Sequence, residues 1–189
     1  QGLLVSLHGP TPNTHDAFTG KSGSFIQSLA NIHTALRAGL HTSISCVITR
    51  HNWNLIEDMV ETADEICASS LVFNRLLDPN NGELVPSREE LRSAIRTIQD
   101  LRNSGRAVKL GNCLPACFVP TEQAGCLAGL AFFTVDPWGK VRPCNHASAV
   151  CGDLLHQTVE DVWQSPAFEQ WRNAYPEQCG TCLAFSSCR

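Results

Sequence analysis

The stretch CLAGLAFFTVDPWGKVRPC, Cys126 to Cys144, decides how the second half of this chain is read. Two cysteines bracket an apolar run, a Pro137-Trp138-Gly139 turn and a short basic segment, in the spacing Cys126-x12-Gly139-x4-Cys144. Asp136-Pro137-Trp138-Gly139 is turn chemistry, so Leu130–Val135 and Lys140–Arg142 read as the arms of a hairpin whose ends bring the two thiols together. Further along stands Cys179-x2-Cys182-x5-Cys188, and upstream Cys113 and Cys117 are separated by three residues. Thiolates at short, regular spacings across loops are what a soft metal centre requires. A four-coordinate centre needs four of them. These seven fall one short of two complete sets, so Cys151, a ligand beyond Arg189 or another residue type completes the count. Zinc knuckles also use C-x2-C, so a structural zinc site stands beside an iron–sulfur centre as a reading of the same residues. Disulfides are a third reading, without any export signal to support them. Cys46 and Cys67, in or beside regular elements, read as buried small hydrophobes.

The half before this region has a different texture. Leu3–Leu7 is an apolar strand ending in the turn His8-Gly9-Pro10. Phe25, Leu29, Ile32 and Leu36 recur at helical spacing within Ser24–Ala38, with Gly39 placed to stop the helix. In Ser43–Thr49, Ile44, Cys46 and Ile48 alternate against Ser43, Ser45 and Thr49, the mark of a strand. Asn54–Ile66 carries Ile56, Met59, Val60, Ala63 and Ile66 on one helical face, and Ser70–Leu76 is a third strand. After the turn Asp78-Pro79-Asn80-Asn81-Gly82, Ser87 and Glu90 form a capping box opening a helix with Leu91, Ala94, Ile95, Ile98 and Leu101 inward. Strands each followed by a helix predict parallel βαβ units. Beyond Val108 loops, Pro, Gly and Cys take over, with one last helix pair capped by Thr158 and anchored by Val162, Trp163, Phe168 and Trp171. The boundary is placed so that residues 1–110 form an α/β unit and residues 111–189 a Cys-rich, loop-rich one.

Composition narrows the function classes. Hydrophobic residues make up 43% of the 189, enough for a packed core, and the net charge is −4. That balance gives no basic stripe for nucleic acid and no cationic face for a membrane. No apolar run approaches the roughly 18–20 residues of a membrane span. No secretory signal is visible, and the chain opens on Gln1, consistent with a piece of a longer protein. The remaining polar residues carry weaker signals. His8, His15 and His146 read as loop histidines, which are more often solvated than ligating. Trp138 reads as a packing residue over the turn, and Lys140 and Arg142 as surface charges. Gly20-x2-Gly23 lacks the Lys-Ser/Thr of a phosphate loop.

The cysteine spacing, the run Pro137–Cys144 and the segment Val162-Trp163…Phe168…Trp171-Arg172 resemble the SPASM domain of radical S-adenosylmethionine enzymes. Val5-Ser6-Leu7-His8-Gly9, His15-Asp16, Gly23-Ser24-Phe25, Val47-Ile48-Thr49…Asn52 and Phe73-Asn74-Arg75-Leu76 resemble strands four to six of the barrel of the same family. The resemblance implies the later βα units of a partial (β/α)6 barrel followed by a SPASM domain with a short hairpin and helices. It implies cofactor contacts from Ser6, Asn52 and the backbone at Leu76, at the carboxy ends of the strands. It implies that Cys113 or Cys117, with Cys126 and Cys144, hold one auxiliary 4Fe–4S cluster, and that Cys179, Cys182 and Cys188 hold part of another. S-adenosylmethionine and a catalytic 4Fe–4S cluster would belong to the full-length enzyme, a maturase acting on a peptide or protein and fed by flavodoxin or ferredoxin in the cytoplasm. The C-x3-C-x2-C loop of the catalytic cluster is absent from these residues, so this stretch alone is expected to be inactive. Thr19 stands about where many members carry an Arg near the cofactor carboxylate. The reading opposed to an enzyme is a zinc- or cluster-binding module for partner recognition or electron transfer.

Overall fold

A computed structural model describes residues 2–77, 82–112, 114–115, 118, 126–183 and 185–188, the side chains of Ser186 and Ser187 excepted. Cys113 and Cys117, and most of the turn at residues 78–82, lie outside the described residues. The chain divides into two compact units, Gln1–Asn112 and Cys113–Arg189.

In the first unit four strands, β1 (Gly2–Ser6), β2 (His41–Ile48), β3 (Ser70–Arg75) and β4 (Val108–Leu110), form one sheet in the order β1-β2-β3-β4. Every pairing is parallel. Each connection carries helix: α1 (Pro12–Thr19) and α2 (Ser24–Arg37) between β1 and β2, α3 (Ile56–Glu65) between β2 and β3, and α4 (Arg88–Asn103) between β3 and β4. The βαβ expectation is thus met, and the sheet gains a fourth strand that the sequence pattern did not reveal.

Side-chain alternation sorts the sheet into two faces. Ile44, Cys46, Ile48, Leu71, Phe73 and Leu7 pack with Ile32 of α2, Met59 and Val60 of α3 and Ala94 and Ile98 of α4 in one core. The opposite face carries Ser6, Ser43, Ser45, Val47, Val72 and Asn74, all exposed or half-buried. Parallel sheets normally cover both faces with apolar contacts. This one has an apolar face under helices and a mixed face, with Leu4, Val47 and Val72 among its serines and Asn74, that is exposed or half-buried among the described residues.

Helix ends follow the sequence chemistry. Ser87 Oγ accepts from the Glu90 N–H at 3.2 Å, and Glu90 Oε2 accepts from the Ser87 N–H at 2.6 Å, completing the capping box of α4. The start of α2 is held differently. Asp16, on α1, accepts from the N–H groups of Gly23 (2.6 Å) and Phe25 (2.8 Å) and from Ser24 Oγ (2.9 Å). Those bonds keep its carboxyl below the usual carboxylate range, the Phe25 amide contributing most. A carboxylate there also meets the positive end of the helix dipole.

The second unit is smaller. β5 (Thr134–Val135), β6 (Lys140–Arg142) and β7 (Gly152–Asp153) make an antiparallel sheet in that order. Helices α5 (Val159–Trp163) and α6 (Pro166–Asn173) follow, each opened by a hydroxyl cap, Thr158 and Ser165. A 3-10 turn (Glu177–Cys179) and α7 (Phe185–Cys188) close the described chain. Val141, Cys151, Val162 and Phe168 form the core, with Phe133 and Trp163 against it. No helix among the described residues is long and apolar enough to cross a membrane.

Several readings need correction. Of the expected hairpin arm Leu130–Val135 only Thr134–Val135 is strand, the residues before it forming a turn. Cys67 is not a core thiol: it is exposed, at the end of α3, with φ +57. A left-handed residue just past the last turn is a common way for a helix to stop. Trp138 does not pack over its turn; it is 71% exposed. Gly139, at φ +78, turns the chain so that Leu155 lies against the space a Cβ would occupy, leaving the indole outside.

Candidate functional site

The motif cysteines stand on loops that the second unit builds locally. Cys126 is exposed and Cys144 half-buried, and neither is in a disulfide. Between Cys126 and β5 the chain folds back on itself: Ala128 bridges Phe132, and the N–H groups of Leu130 and Ala131 both bond to Leu127 O. This turn is clamped from α6. Trp171 Nε1 donates to Ala128 O at 3.1 Å, and Arg172 Nε donates to Gly129 O at 2.7 Å. The Arg172 guanidinium also lies 4.5 Å from the centre of the Trp163 ring, a cation–π contact. Gly129 has φ +75, and a Cβ on it would come within 2.7 Å of Trp171 Cδ1. Trp171-Arg172 is therefore the brace for the segment beside Cys126, a role that spacing alone does not disclose, and Gly129 is the residue that lets the brace close.

On the other side of the hairpin, Cys144 follows β6 directly, and its carbonyl accepts from the Ala147 N–H. Asp136 shapes the intervening turn by accepting from the N–H groups of Trp138 and Lys140. Lys140 and Arg142 do more than decorate the surface, since Lys140 Nζ lies 2.7 Å from Asp153 and Arg142 3.5 Å from Asp136. The Cys179–Cys182 knuckle is a tight turn: the Cys182 N–H donates to Cys179 O, and the Phe185 N–H to Cys182 O. Cys179 is half-buried and Cys182 exposed. Cys188 ends α7, half-buried.

The remaining thiols are set apart. Cys151 is buried in the core of the second unit, its thiol pushed up by desolvation although Arg172 opposes the shift. Cys46 is buried in the sheet core, and burial pushes it up to about 12. Both pack among apolar side chains, the setting of a structural rather than a reactive thiol. Four motif cysteines, Cys126, Cys144, Cys179 and Cys182, are solvent-reachable thiols on short turns, a donor set suited to a soft metal centre. Among the described residues no three Cys, His, Asp or Glu side chains converge on one point.

In the first unit the expected cofactor residues lie at the carboxy ends of the strands. Ser6 is exposed at the end of β1, and Leu76 is half-buried just after β3. The backbone of the preceding Arg75 is held on both sides by the Asn112 amide, which accepts from its N–H at 2.9 Å and donates to its carbonyl at 3.1 Å. Asn52 is buried, and its side chain is engaged in bonds to the protein backbone. Its Nδ2 donates to His8 O and Val47 O, both at 2.9 Å, while Oδ1 accepts from the Thr49 N–H at 2.7 Å. Asn52 thereby ties the turn after β1 to the end of β2. The neighbours Thr49 and His51, with Asn13, Thr14, Ala17 and Phe18 of α1, line a groove of about 270 Å³.

His8 and His15 are not the solvated loop residues the sequence suggested: both are buried, His15 within α1, and they belong to the same brace. The Val47 N–H donates to His8 Nδ1 at 3.2 Å, and the His8 N–H donates to His15 Nδ1 at 2.9 Å. A ring that accepts at Nδ1 while neutral carries its hydrogen on Nε2. His8 also packs on Phe18, and burial, helped by the neighbouring His15, lowers it to about 4. His15 lies in α1 and is likewise lowered by burial, with Asp16 opposing. Thr19 turns into the α1–α2 corner, where its hydroxyl lies 2.7 Å from Ser24 Oγ.

The comparisons with known proteins converge on these features. Residues 126–188 match the family model of the SPASM iron–sulfur cluster-binding domain. Among curated proteins, the chain is 24% identical over its whole length to the AdoMet-dependent heme synthase of Oleidesulfovibrio alaskensis, covering 55% of it. It is 26% identical over 99% of its length to the PqqA peptide cyclase of Rhizobium meliloti, again covering 55%. The chain thus spans about half the length of these relatives. Among solved structures, Streptococcus suis SuiB bound to precursor peptide SuiA aligns with 98% of this chain and 47% of its own, at TM-score 0.76 and 14% identity. That likeness speaks to the fold. Residues 126–188 thus match the SPASM iron–sulfur cluster-binding domain, and nearly the whole chain is similar to proteins named an AdoMet-dependent heme synthase and a PqqA peptide cyclase.

Proposed function

We propose that this protein works within a radical S-adenosylmethionine enzyme that modifies a peptide or protein, its SPASM unit carrying auxiliary iron–sulfur clusters. The match of residues 126–188 to the cluster-binding family carries the reading. Similarity to a peptide cyclase along nearly the whole chain supports the substrate class. When bound, the catalytic cluster and S-adenosylmethionine supply a 5′-deoxyadenosyl radical able to take hydrogen from the substrate. Cys126 and Cys144, with Cys113 or Cys117, hold one auxiliary cluster in this proposal, and Cys179, Cys182 and Cys188 hold part of a second. The protein's own work is to orient these thiols, to limit water around them and so to tune their potential. The Trp171–Arg172 clamp does the orienting beside Cys126. In the first unit, Ser6 and the backbone at Leu76 meet the cofactor, while Asn52 shapes the rim through backbone bonds. Flavodoxin or ferredoxin is the proposed electron source.

The test is anaerobic reconstitution of the full-length protein with iron and sulfide. Iron and acid-labile sulfide should bind in equal amounts, and serine replacements at Cys126, Cys144, Cys179 or Cys182 should each lower both. Alanine at Cys46 or Cys151 should not, provided the variant folds. Tight stoichiometric zinc without sulfide would replace the enzyme reading with that of a binding module. Under strong reductant the loaded protein should also convert S-adenosylmethionine to 5′-deoxyadenosine, measured by chromatography.

A further inference from the structure

Phe168, Trp171 and Arg172 stand at i, i+3 and i+4 on α6, so one side of the helix carries all three to the turn at Ala128 and Gly129. Two neighbouring carbonyls of that turn are held. Ala128 O takes the neutral indole N–H of Trp171 at 3.1 Å, and Gly129 O takes Arg172 Nε at 2.7 Å. A neutral donor suffices for the first bond, yet the second comes from a group that is always charged. More than that bond fixes the charge. The guanidinium lies 4.5 Å from the centre of the Trp163 ring and 5.2 Å from that of Phe168, and its Nη2 is shielded from solvent. Aromatic faces hold a guanidinium without neutralising it.

The hairpin cations are committed elsewhere, Lys140 to Asp153 and Arg142 to Asp136. The Arg172 charge acts on thiols: it opposes the desolvation that pushes Cys151 up. Gly129 is the third residue after Cys126, and the bonds of Leu130 and Ala131 to Leu127 O keep the segment compact. Three peptide units reach at most about 11 Å, so the Cys126 backbone is close to the guanidinium. A centre held by thiolates is anionic and gains one more negative charge on reduction, so a fixed cation beside it favours the reduced form. At about 12 Å and an effective dielectric of about 20, one charge shifts that equilibrium by about tenfold. We propose that Arg172 tunes the auxiliary centre of Cys126 and Cys144: its fixed charge raises the reduction potential, and its bond to Gly129 O positions the Cys126 segment. This rests on the reading that those thiols hold an iron–sulfur cluster.

Redox titration of the full-length, anaerobically reconstituted protein, followed by electron paramagnetic resonance, tests it. The signal of this centre is the one lost in Cys126→Ser. In Arg172→Gln, which can still donate to Gly129 O, its reduction equilibrium should fall about tenfold, or about 59 mV for one electron. Arg172→Lys keeps the charge and should stay within about twofold of wild type. Signals that survive in Cys126→Ser should not move in any variant. Should Arg172→Gln fail to take up iron, Arg172→Met, neutral and able to fill the space against both rings, replaces it. Should neither neutral variant load, Arg172→Lys decides: loading restored by Lys upholds the role of the charge, and loss in Lys as well reduces Arg172 to a clamp and overturns it. A neutral variant that loads fully and keeps the wild-type potential overturns this assignment alone. Wild-type protein that takes up no iron and sulfide overturns the cluster reading on which it stands.

Discussion

Replacing Asn52 by Ala should be among the most damaging single changes in the first unit. The substitution strips an acceptor from the Thr49 N–H and donors from His8 O and Val47 O, bonds of 2.7 to 2.9 Å. A typical hydrogen bond contributes about 1 kcal/mol net, and a buried group left without a partner costs about 1–3 kcal/mol. The Thr49 amide, an N–H with a single hydrogen to place, bears the higher cost. The sum is about 3–5 kcal/mol, a large share of the ~5–15 kcal/mol that stabilises a typical domain. Asn52→Asp is the sharper probe because it keeps the shape and the acceptor for Thr49 while turning the donor into a carboxylate facing two carbonyl oxygens. Such a carboxyl has its pKa raised on folding, so the penalty should be full at neutral pH. It should ease as pH falls, since a protonated carboxyl returns one donor. Amide exchange read at Thr49 reports this locally: at about 1.4 kcal/mol per tenfold, Asn52→Ala should accelerate exchange at least about 100-fold. Comparing the two variants at each pH cancels effects of other titrating groups. A loss below about 1 kcal/mol for Asn52→Ala, together with wild-type behaviour of Asn52→Asp at pH 7, would refute the brace.

The second unit offers a steric counterpart: Gly129→Ala forces a Cβ to within 2.7 Å of Trp171 at a left-handed backbone position. It should cost about 2–4 kcal/mol in urea unfolding, combining backbone strain and overpacking, and lower iron loading in step. His8 gives a pH signature. Its folded pKa of about 4 lies below the ordinary 6.5, so its neutral form stabilises the fold above pH 6.5, and that stability is lost as pH falls through the window down to about 4. Nitrogen-15 spectra of the His8 ring should show Nε2–H at neutral pH, and a midpoint near 6.5 would contradict its burial. Native alkylation at pH 8 should modify Cys67, Cys126 and Cys182 well before Cys46 and Cys151, as mass spectrometry would show; rapid labelling of Cys46 would mean the sheet core opens readily.

Much of the scaffold is legible in the residues because its signals are local. The Ser87–Glu90 capping box is found as read, since a hydroxyl three residues before a carboxylate closes one turn without outside help. The alternation of Ile44, Cys46 and Ile48 against serines identified both a strand and its buried face. Helix α1 escaped notice because it is short and carries polar residues. Its coherence comes from Thr11, which accepts from the Thr14 N–H, and from burial of His15 beneath His8. Strand β4 is three residues long with a Lys at its centre, and only pairing with β3 makes it a strand. Cys67 and Trp138 were misplaced for a shared reason: each side chain's exposure depends on a left-handed backbone at or beside it, which apolar patterning cannot express. At the candidate site the cysteine spacing was readable, as was the relation to the family. That the Asn52 side chain reaches backbone groups in two turns was not, because these bonds link residues up to 44 positions apart.

The Asp16 clip at the α1–α2 corner has a consequence for the order of assembly. Its bonds to Gly23, Ser24 and Phe25 span seven to nine residues. The β1–β2 ladder, by contrast, must bring Gly2 to His41 before it gains its first contact. Closing the shorter loop costs less chain entropy, and folding rates follow the sequence separation of contacts. The corner is therefore a structure the chain can sample while the sheet is still open. It halves the problem of returning from β1 to β2 by delivering α2 already started, in the direction that leads its apolar side back to the strands.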